Sequence, residues 1–245
     1  MQYRYLFFDL DGTLWDSREG ITKAVRYALE QMGYESPALE DLYKFIGPPL
    51  TESFPEFYGM TMEQAREGVQ YFREYFTKQG IFENRLFDGV PEMLKTLKEA
   101  GRILCTASSK PEMQVRTTLD YFHITDYFDH ICGATLDESR SGKKEVLEEL
   151  IRRIGLTEEQ LHKEVLMIGD RKHDVEGAAV FGIPCLGCLL YTSHNIYKET
   201  VGAYYERKEQ RPSAALSVFI NILFECLHLR RRLCDCDIDE TEVCG

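Results

Sequence analysis

Positive charge is scarce in this sequence. Its 29 lysines and arginines face 41 aspartates and glutamates, for a net charge of −12. A field of that sign repels polyanions and leaves no basic stripe for a phosphate backbone, so no nucleic-acid partner is expected. Long hydrophobic runs are also missing. The longest apolar stretch, LSVFINILFECL from Leu216, is too short and too interrupted to span a bilayer, so no membrane partner is expected either. The chain opens on a strand-like pattern rather than a basic segment followed by an apolar one, which reads as cytoplasmic. The eight cysteines do not read as a disulfide framework. Cys105 and Cys132 lie in strand-like runs, and the other six fall between Cys185 and Cys244. Cys234 and Cys236 form one C-x-C, and Cys185 and Cys188 are spaced C-x-x-C at the end of a strand-like run; neither a disulfide framework nor a zinc site is expected from them.

What is present is an alternation. The runs YRYLFFDL, RILCTAS, FDHICGA, EVLMIGD and IPCLGCL are short and apolar, as strands covered on both faces are. Between them, PEMLKTLKEAG puts Met93, Leu94 and Leu97 on one helical face and stops at Gly101. KKEVLEELIRRIG does the same with Val146, Leu147, Leu150, Ile151 and Ile154, then Gly155. Alternating strand and helix predicts a doubly wound α/β core with a parallel sheet. Residues 16–85 break the pattern, with no convincing strand. Ile21, Val25, Ala28, Leu29 and Met32 form one helical face, and Met62, Ala65, Val69, Phe72 and Phe76 form another. FIGPPLTESF reads as a Pro-rich turn between helices. The expected organisation is a core of residues 1–15 and 86–190 and a helical insert of residues 16–85. Residues 191–245 are an atypical tail.

Chemistry collects at the strand ends, where sites form in open α/β sheets. The first run ends in Asp9 and Asp11, the second in Ser108, Ser109 and Lys110, and the fourth in GDRKHD with Asp170 and Asp174. Lys143 opens the helix after the third. So many acids in one crevice cannot all stay ionised without a cation, and a hard ion with oxygen ligands, most simply Mg²⁺, resolves the conflict. A phosphate group is then expected between metal, Lys143 and the hydroxyls of Ser108 and Ser109. Asp9 is the candidate nucleophile, because a carboxylate can attack phosphorus. Asp11, two residues on and on the same side of an extended chain, is the candidate general acid and base. Each signal alone is weak. A lone Asp-x-Asp is usually a turn, Ser108 could simply cap a helix, Lys143 could be solvated, and His173 reads as an exposed loop residue. Their order along the chain is what carries the reading.

In that order the motifs resemble the haloacid dehalogenase superfamily of phosphatases. DLDGT resembles its first motif, Ser108 in TASSK the second, Lys143 in SRSGKKEV the third and GDRKHD the fourth. The resemblance spans residues 1 to about 187, and the insert resembles the small helical cap of that superfamily. It implies that Asp9 attacks, that Asp11 is the acid and base, and that Lys143 steadies nucleophile and phosphate. It also implies that Asp9, Asp170 and the Asp11 carbonyl hold Mg²⁺, with Asp174 in support. FIGPPLTESF, FENRLFDGV, GATLDESR and MIGDRKHD resemble the phosphoglycolate-phosphatase-like branch, and within it members described as 5′-nucleotidases. The expected substrate is a small phosphorylated metabolite, and the expected state a monomer or weak homodimer. A phosphosugar mutase and an inactive phosphate-binding homologue remain alternatives. A cap would hinge at Trp15–Ser17 and Asn84–Arg85, with Gly47, Pro48, Lys44 and Arg73 as candidate substrate contacts.

The resemblance stops after Gly187. Residues 188–193, CLLYTS, read as a translation of TGTCTCTTATACACATCT, a transposon end used in preparing sequencing libraries. A chimeric or frame-shifted terminus is therefore expected, with residues 216–229 as a potential amphipathic helix within it.

Overall fold

The computed structural model describes residues 3–187 except Ser36, Gly47, Pro48 and Glu138. The expectations for the tail, the C-x-C pair, Gly47 and Pro48 lie outside the described residues. Among those described, no helix is long and apolar enough to cross a membrane.

The chain begins with β1 (Tyr5–Phe8), turns through β2 (Trp15–Asp16) and enters α1 (Arg18–Gln31), α2 (Leu50–Tyr58) and α3 (Met62–Lys78). It returns through β3 (Arg85–Leu86) to α4 (Val90–Glu99), β4 (Ile103–Pro111), α5 (Glu112–Tyr121) and β5 (His130–Ala134). Then follow α6 (Lys143–Ile154), α7 (Glu158–Glu164), β6 (Val165–Gly169), α8 (Lys172–Val180) and β7 (Cys185–Gly187). Five strands form one sheet in the order β5-β4-β1-β6-β7, every pair parallel. This is the predicted doubly wound α/β architecture. The chain runs outward from β1 to β4 and β5, then crosses back to β6 and β7, so the strand order reverses at β1.

All four residues of β1 are buried, as expected of a central strand with helices on both faces. Its side chains alternate. Leu6 and Phe8 join Val90, Met93, Leu94 and Leu97 of α4 and Val115 and Leu119 of α5 in one core cluster. Tyr5 and Phe7 join Val146, Leu147 and Leu150 of α6 and Ala178 of α8 in the other. The helical faces read from spacing in α4 and α6 are the ones that pack.

The insert builds its own apolar cluster. Val25, Ala28 and Leu29 of α1 meet Leu42, Phe45, Phe54 of α2, Met60 and Ala65 of α3. Three sequence expectations are corrected here. Met62 points outward, because it stands in the first turn of a helix capped by Thr61 and Gln64, each side chain accepting the other's backbone N–H. The segment read as a long turn ends at Pro49, and LTESF is the start of α2. Finally, strand is present at both ends of the insert. Trp15 pairs with Leu86 and Asp16 with Arg85 as an antiparallel bridge at its base. A two-residue strand carries too few positions to show a periodicity.

The insert closes against itself at Gly20 of α1 and Gly80, which follows α3. A Cβ at Gly20 would overlap the Gly80 carbonyl oxygen, which is backbone and cannot swing aside. Gly20→Ala is therefore expected to destabilise the protein by ~1–3 kcal/mol, the usual cost of overpacking. Urea denaturation against the parent chain measures it; an unchanged midpoint would show that the two segments separate freely.

Candidate functional site

The carboxyl end of β1 lies between β4 and β6, where the strand order reverses and crevices open in such sheets. Asp9 is the first residue beyond β1, and its backbone N–H still bonds the Ile168 carbonyl of β6 at 2.8 Å. The position of its side chain is thus set by the sheet. The chain then folds tightly. Leu14 N–H bonds the Leu10 carbonyl and Gly12 N–H the Trp15 carbonyl, both at 2.8 Å. Gly12 has φ +88°, and a Cβ there would overlap the Asp170 carboxylate. Only glycine supplies both the backbone angle and the space.

Lys143, at the first turn of α6, reaches into this crevice. Its Nζ lies 2.7 Å from Asp9 Oδ1, 2.7 Å from Asp174 Oδ1 and 2.6 Å from the Ala107 carbonyl oxygen. The ammonium hydrogen-bonds Asp9 and the Ala107 carbonyl and pairs by charge with Asp174, although the residue is only 7% exposed. Gly177 of α8 leaves room for its stem, since a Cβ there would press on Lys143 Cβ and Cγ. Burial alone would lower the Lys143 pKa, but the charges of Asp9 and Asp174 outweigh it and raise it.

The acids outnumber this one cation. Asp9, Asp170 and Asp174 each offer an oxygen within 4.8 Å of the others. Burial pushes the Asp9 pKa up to about 6, with Lys143 opposing and Asp174 and Asp11 adding to the rise. Burial also pushes Asp170 up to about 8, helped by Asp9 and Asp174 and opposed by Arg171 and Lys143. A cluster of oxygen donors that holds protons this tightly has unmet demand for positive charge. It fits a hard divalent cation and offers no soft ligand.

Asp11 is treated differently. Its Oδ1 accepts from the indole Nε1 of Trp15 at 2.8 Å and from Lys110 Nζ at 3.0 Å. Burial would raise its pKa, but Lys110, Trp15 and Ser17 together bring it below the usual carboxylate range.

Of the other predicted residues, Ser108 is buried and its Oγ accepts from Lys110 N–H at 3.2 Å. It does not cap α5, whose N-cap is Pro111, because β4 runs three residues further than its apolar run suggests. Ser109 is exposed, as is His173. A cavity of about 200 Å³ opens between core and insert, lined by residues that include Gly12, Arg18, Tyr43, Ile46, Asp170 and Arg171. Lys44 and Arg73 are not among its lining residues. The Lys44 ammonium lies 4.7 Å from the Phe57 ring centre, and Arg73 is exposed on α3.

Sequence reasoning named Lys110 at the end of the second run without giving it a role, and it missed Arg171. Arg171 Nε lies 3.1 Å from Asp170 Oδ2, and its Nη1 donates to the Ile46 carbonyl of the insert at 3.1 Å. Both adjoin motif residues, so proximity to Ser108 and Asp170 was the available signal.

The chain is 43% identical over 187 residues to a 5′-nucleotidase from Pseudomonas aeruginosa, covering 76% of this chain and 83% of that one. It is 38% identical to the tyrosine-protein kinase PtkA of Mycobacterium tuberculosis over 73% of this chain, but spans only 59% of that protein. The crystal structure of a predicted phosphatase from Clostridium acetobutylicum superposes with a TM-score of 0.70 at 40% identity, covering 76% of this chain and 85% of that one. Residues 6–188 match the model of the haloacid dehalogenase-like hydrolases. With that match spanning both halves of the sheet and every acid of the crevice, the chain belongs to the haloacid dehalogenase-like hydrolase family.

Proposed function

We propose that this protein is a Mg²⁺-dependent phosphatase that hydrolyses small phosphomonoesters through an aspartyl-phosphate on Asp9. The observation that carries the reading is the contrast between two neighbouring carboxylates. Asp9 is fixed on Lys143 beside Asp170 and Asp174, while Asp11 is fixed separately on Lys110 and Trp15. The relative named as a 5′-nucleotidase supports the reaction class.

An oxygen of Asp9 attacks phosphorus and the bond from phosphorus to the ester oxygen breaks; Asp11, ionised in the free site, takes up the proton that the phosphomonoester monoanion brings and passes it to the leaving oxygen. Water then attacks the aspartyl-phosphate and gives a proton back to Asp11, which restores Asp9 and releases inorganic phosphate. Lys143 aligns Asp9 and offsets charge on the phosphoryl oxygens, with Ser108 and Ser109 as hydroxyl donors at the end of β4. Asp9, Asp170 and the Asp11 carbonyl, with Asp174 in support, would hold Mg²⁺, which supplies Lewis-acid stabilisation of the phosphoryl charge.

In this reading residues 1–15 and 86–190 are the catalytic core and residues 16–85 a cap over the crevice, turning about the β2–β3 bridge. Arg18 and Arg171 line the cavity, each paired with an acid of the same lining, Asp16 and Asp170. The cavity volume of about 200 Å³ lies below the ~300–1,000 Å³ of drug-sized ligand sites, which favours a small leaving group. A panel of phosphoglycolate, nucleoside 5′-monophosphates and sugar phosphates tests the class. Phosphate release from at least one, in the presence of Mg²⁺, is expected; conversion of a sugar phosphate to its isomer without release would make the protein a mutase, and no turnover at all a binding homologue.

Asp9→Asn is expected to lower turnover by ~10³-fold or more, since an amide is a poor nucleophile. Hydrolysis of p-nitrophenyl phosphate measures it, with circular dichroism confirming the fold; retained activity would move the nucleophile elsewhere. Metal binding has a separate readout. Because Asp9 and Asp170 have pKa values raised above their ordinary 3.8, they lose native-state stability as pH rises from about 4 toward 8. Mg²⁺ should restore it, so the rise in thermal midpoint on adding Mg²⁺ should be larger at pH 8 than at pH 5. Equal rises, or none, would separate the acids from the metal.

A further inference from the structure

Lys110 has no part in the scheme above, yet its surroundings are specific. It stands near the end of β4, where pairing with β5 loses its regular register between Ser108 and Pro111. The Lys110 side chain is 7% exposed, and its ammonium is the partner of Asp11 Oδ1 at 3.0 Å. The same ammonium lies 5.4 Å from the ring centre of Trp15 and 5.3 Å from that of Phe76. Trp15 belongs to the bridge at the base of the insert, and its indole N–H donates to the very oxygen that Lys110 holds. Phe76 belongs to α3, so the insert supplies one wall around a core lysine.

We infer that Lys110 is a positioning residue for Asp11, and that the insert's Phe76 completes the enclosure that keeps it there. The inference rests on the reading of Asp11 as the proton donor to the leaving group. A buried ammonium cannot be left without partners, and here one carboxylate and two aromatic faces provide them. Asp11 in turn has its Oδ1 fixed from two directions, so its carboxyl group cannot rotate freely. Moving α3 away would wet Lys110 and weaken its hold, and Asp11 would lose its aim. Seating of the insert and alignment of the proton donor are thereby coupled through one side chain. Lys143 cannot substitute, because its ammonium is committed to Asp9, Asp174 and Ala107.

The test compares leaving groups in the full chain. p-Nitrophenolate departs without a proton, whereas the alkoxide of glycerol phosphate needs one. Lys110→Met, which keeps length and loses charge, should lower kcat on glycerol phosphate by ~30-fold or more and on p-nitrophenyl phosphate by less than ~3-fold, within the range general acid catalysis contributes. Lys110→Arg should recover part of the loss on the alkyl ester. Phe76→Ala should show the same selectivity, more weakly. Inhibition by inorganic phosphate should be unchanged in Lys110→Met. Equal losses on both esters, or weakened phosphate inhibition, would make Lys110 a phosphate ligand or a structural residue and overturn the inference. Trp15 is the only tryptophan in the chain, so its fluorescence reports this cluster without any turnover. Lys110→Met should shift its emission, and so should Asp11→Asn; no shift in Lys110→Met overturns the inference. If the parent chain hydrolyses neither ester while both variants shift the emission, the phosphatase reading fails and the Lys110–Asp11 linkage stands.

Discussion

One buried ammonium organises the centre of this molecule. Lys143 ties together the end of β1 through Asp9, the middle of β4 through the Ala107 carbonyl, and α8 through Asp174. Those elements come from distant parts of the chain, and the lysine itself arrives on α6. Removing that charge would leave three acids facing one another in a dry crevice, and breaking a buried pair this way commonly costs ~3–5 kcal/mol. The arrangement is still incomplete as electrostatics, since the Asp9 and Asp170 carboxyls hold their protons well above the ordinary range. A site that satisfied its own charges would have little left to offer a ligand.

The core was legible because its signals are periodic. Short apolar runs marked β1, β4, β5, β6 and β7, and the i, i+3, i+4 spacing in α4 and α6 named the faces that pack. Polar residues at the ends of those runs then had to meet, because parallel strands bring all their carboxyl ends to one edge. That is why Asp9, Lys143, Asp170 and Asp174 could be gathered into one crevice from spacing alone. The pair β2–β3 was not legible, as two residues have no period. Neither was the true end of β4, which runs to Pro111, beyond the polar end read at Ser108, Ser109 and Lys110.

The role of Lys110 was overlooked for a related reason. The lysine's partner, Asp11, is 99 positions away, and the contact lies beside a local loss of strand register that leaves no mark in hydrophobicity. Arg171 is a similar case. Next to Asp170 it reads as an exposed loop cation, yet it spans from that acid to the Ile46 carbonyl of the insert. Contacts between core and insert are made by long side chains crossing a gap. Sequence periodicity describes what packs within an element and is silent on such crossings.

The two aspartates of DLDGT show how far environment separates like groups. They lie two residues apart, and the same burial acts to raise both pKa values. Asp9 shares its one cation with Asp174, so burial and then repulsion from Asp174 and Asp11 push its carboxyl up against the pull of Lys143. Asp11 has Lys110 facing it and an indole N–H on the same oxygen, so attraction overrides burial and its carboxyl is pushed down. Opposed shifts in neighbouring acids are a mark of divided labour, one group demanding a cation and the other already supplied with one. The division is produced by topology. β1 delivers Asp9 to the side of the crevice served by α6 and α8, while the tight loop at Gly12 folds Trp15 back onto Asp11 beside β4. A chain without that loop would present two equivalent carboxylates to one lysine, and neither would be distinguished from the other.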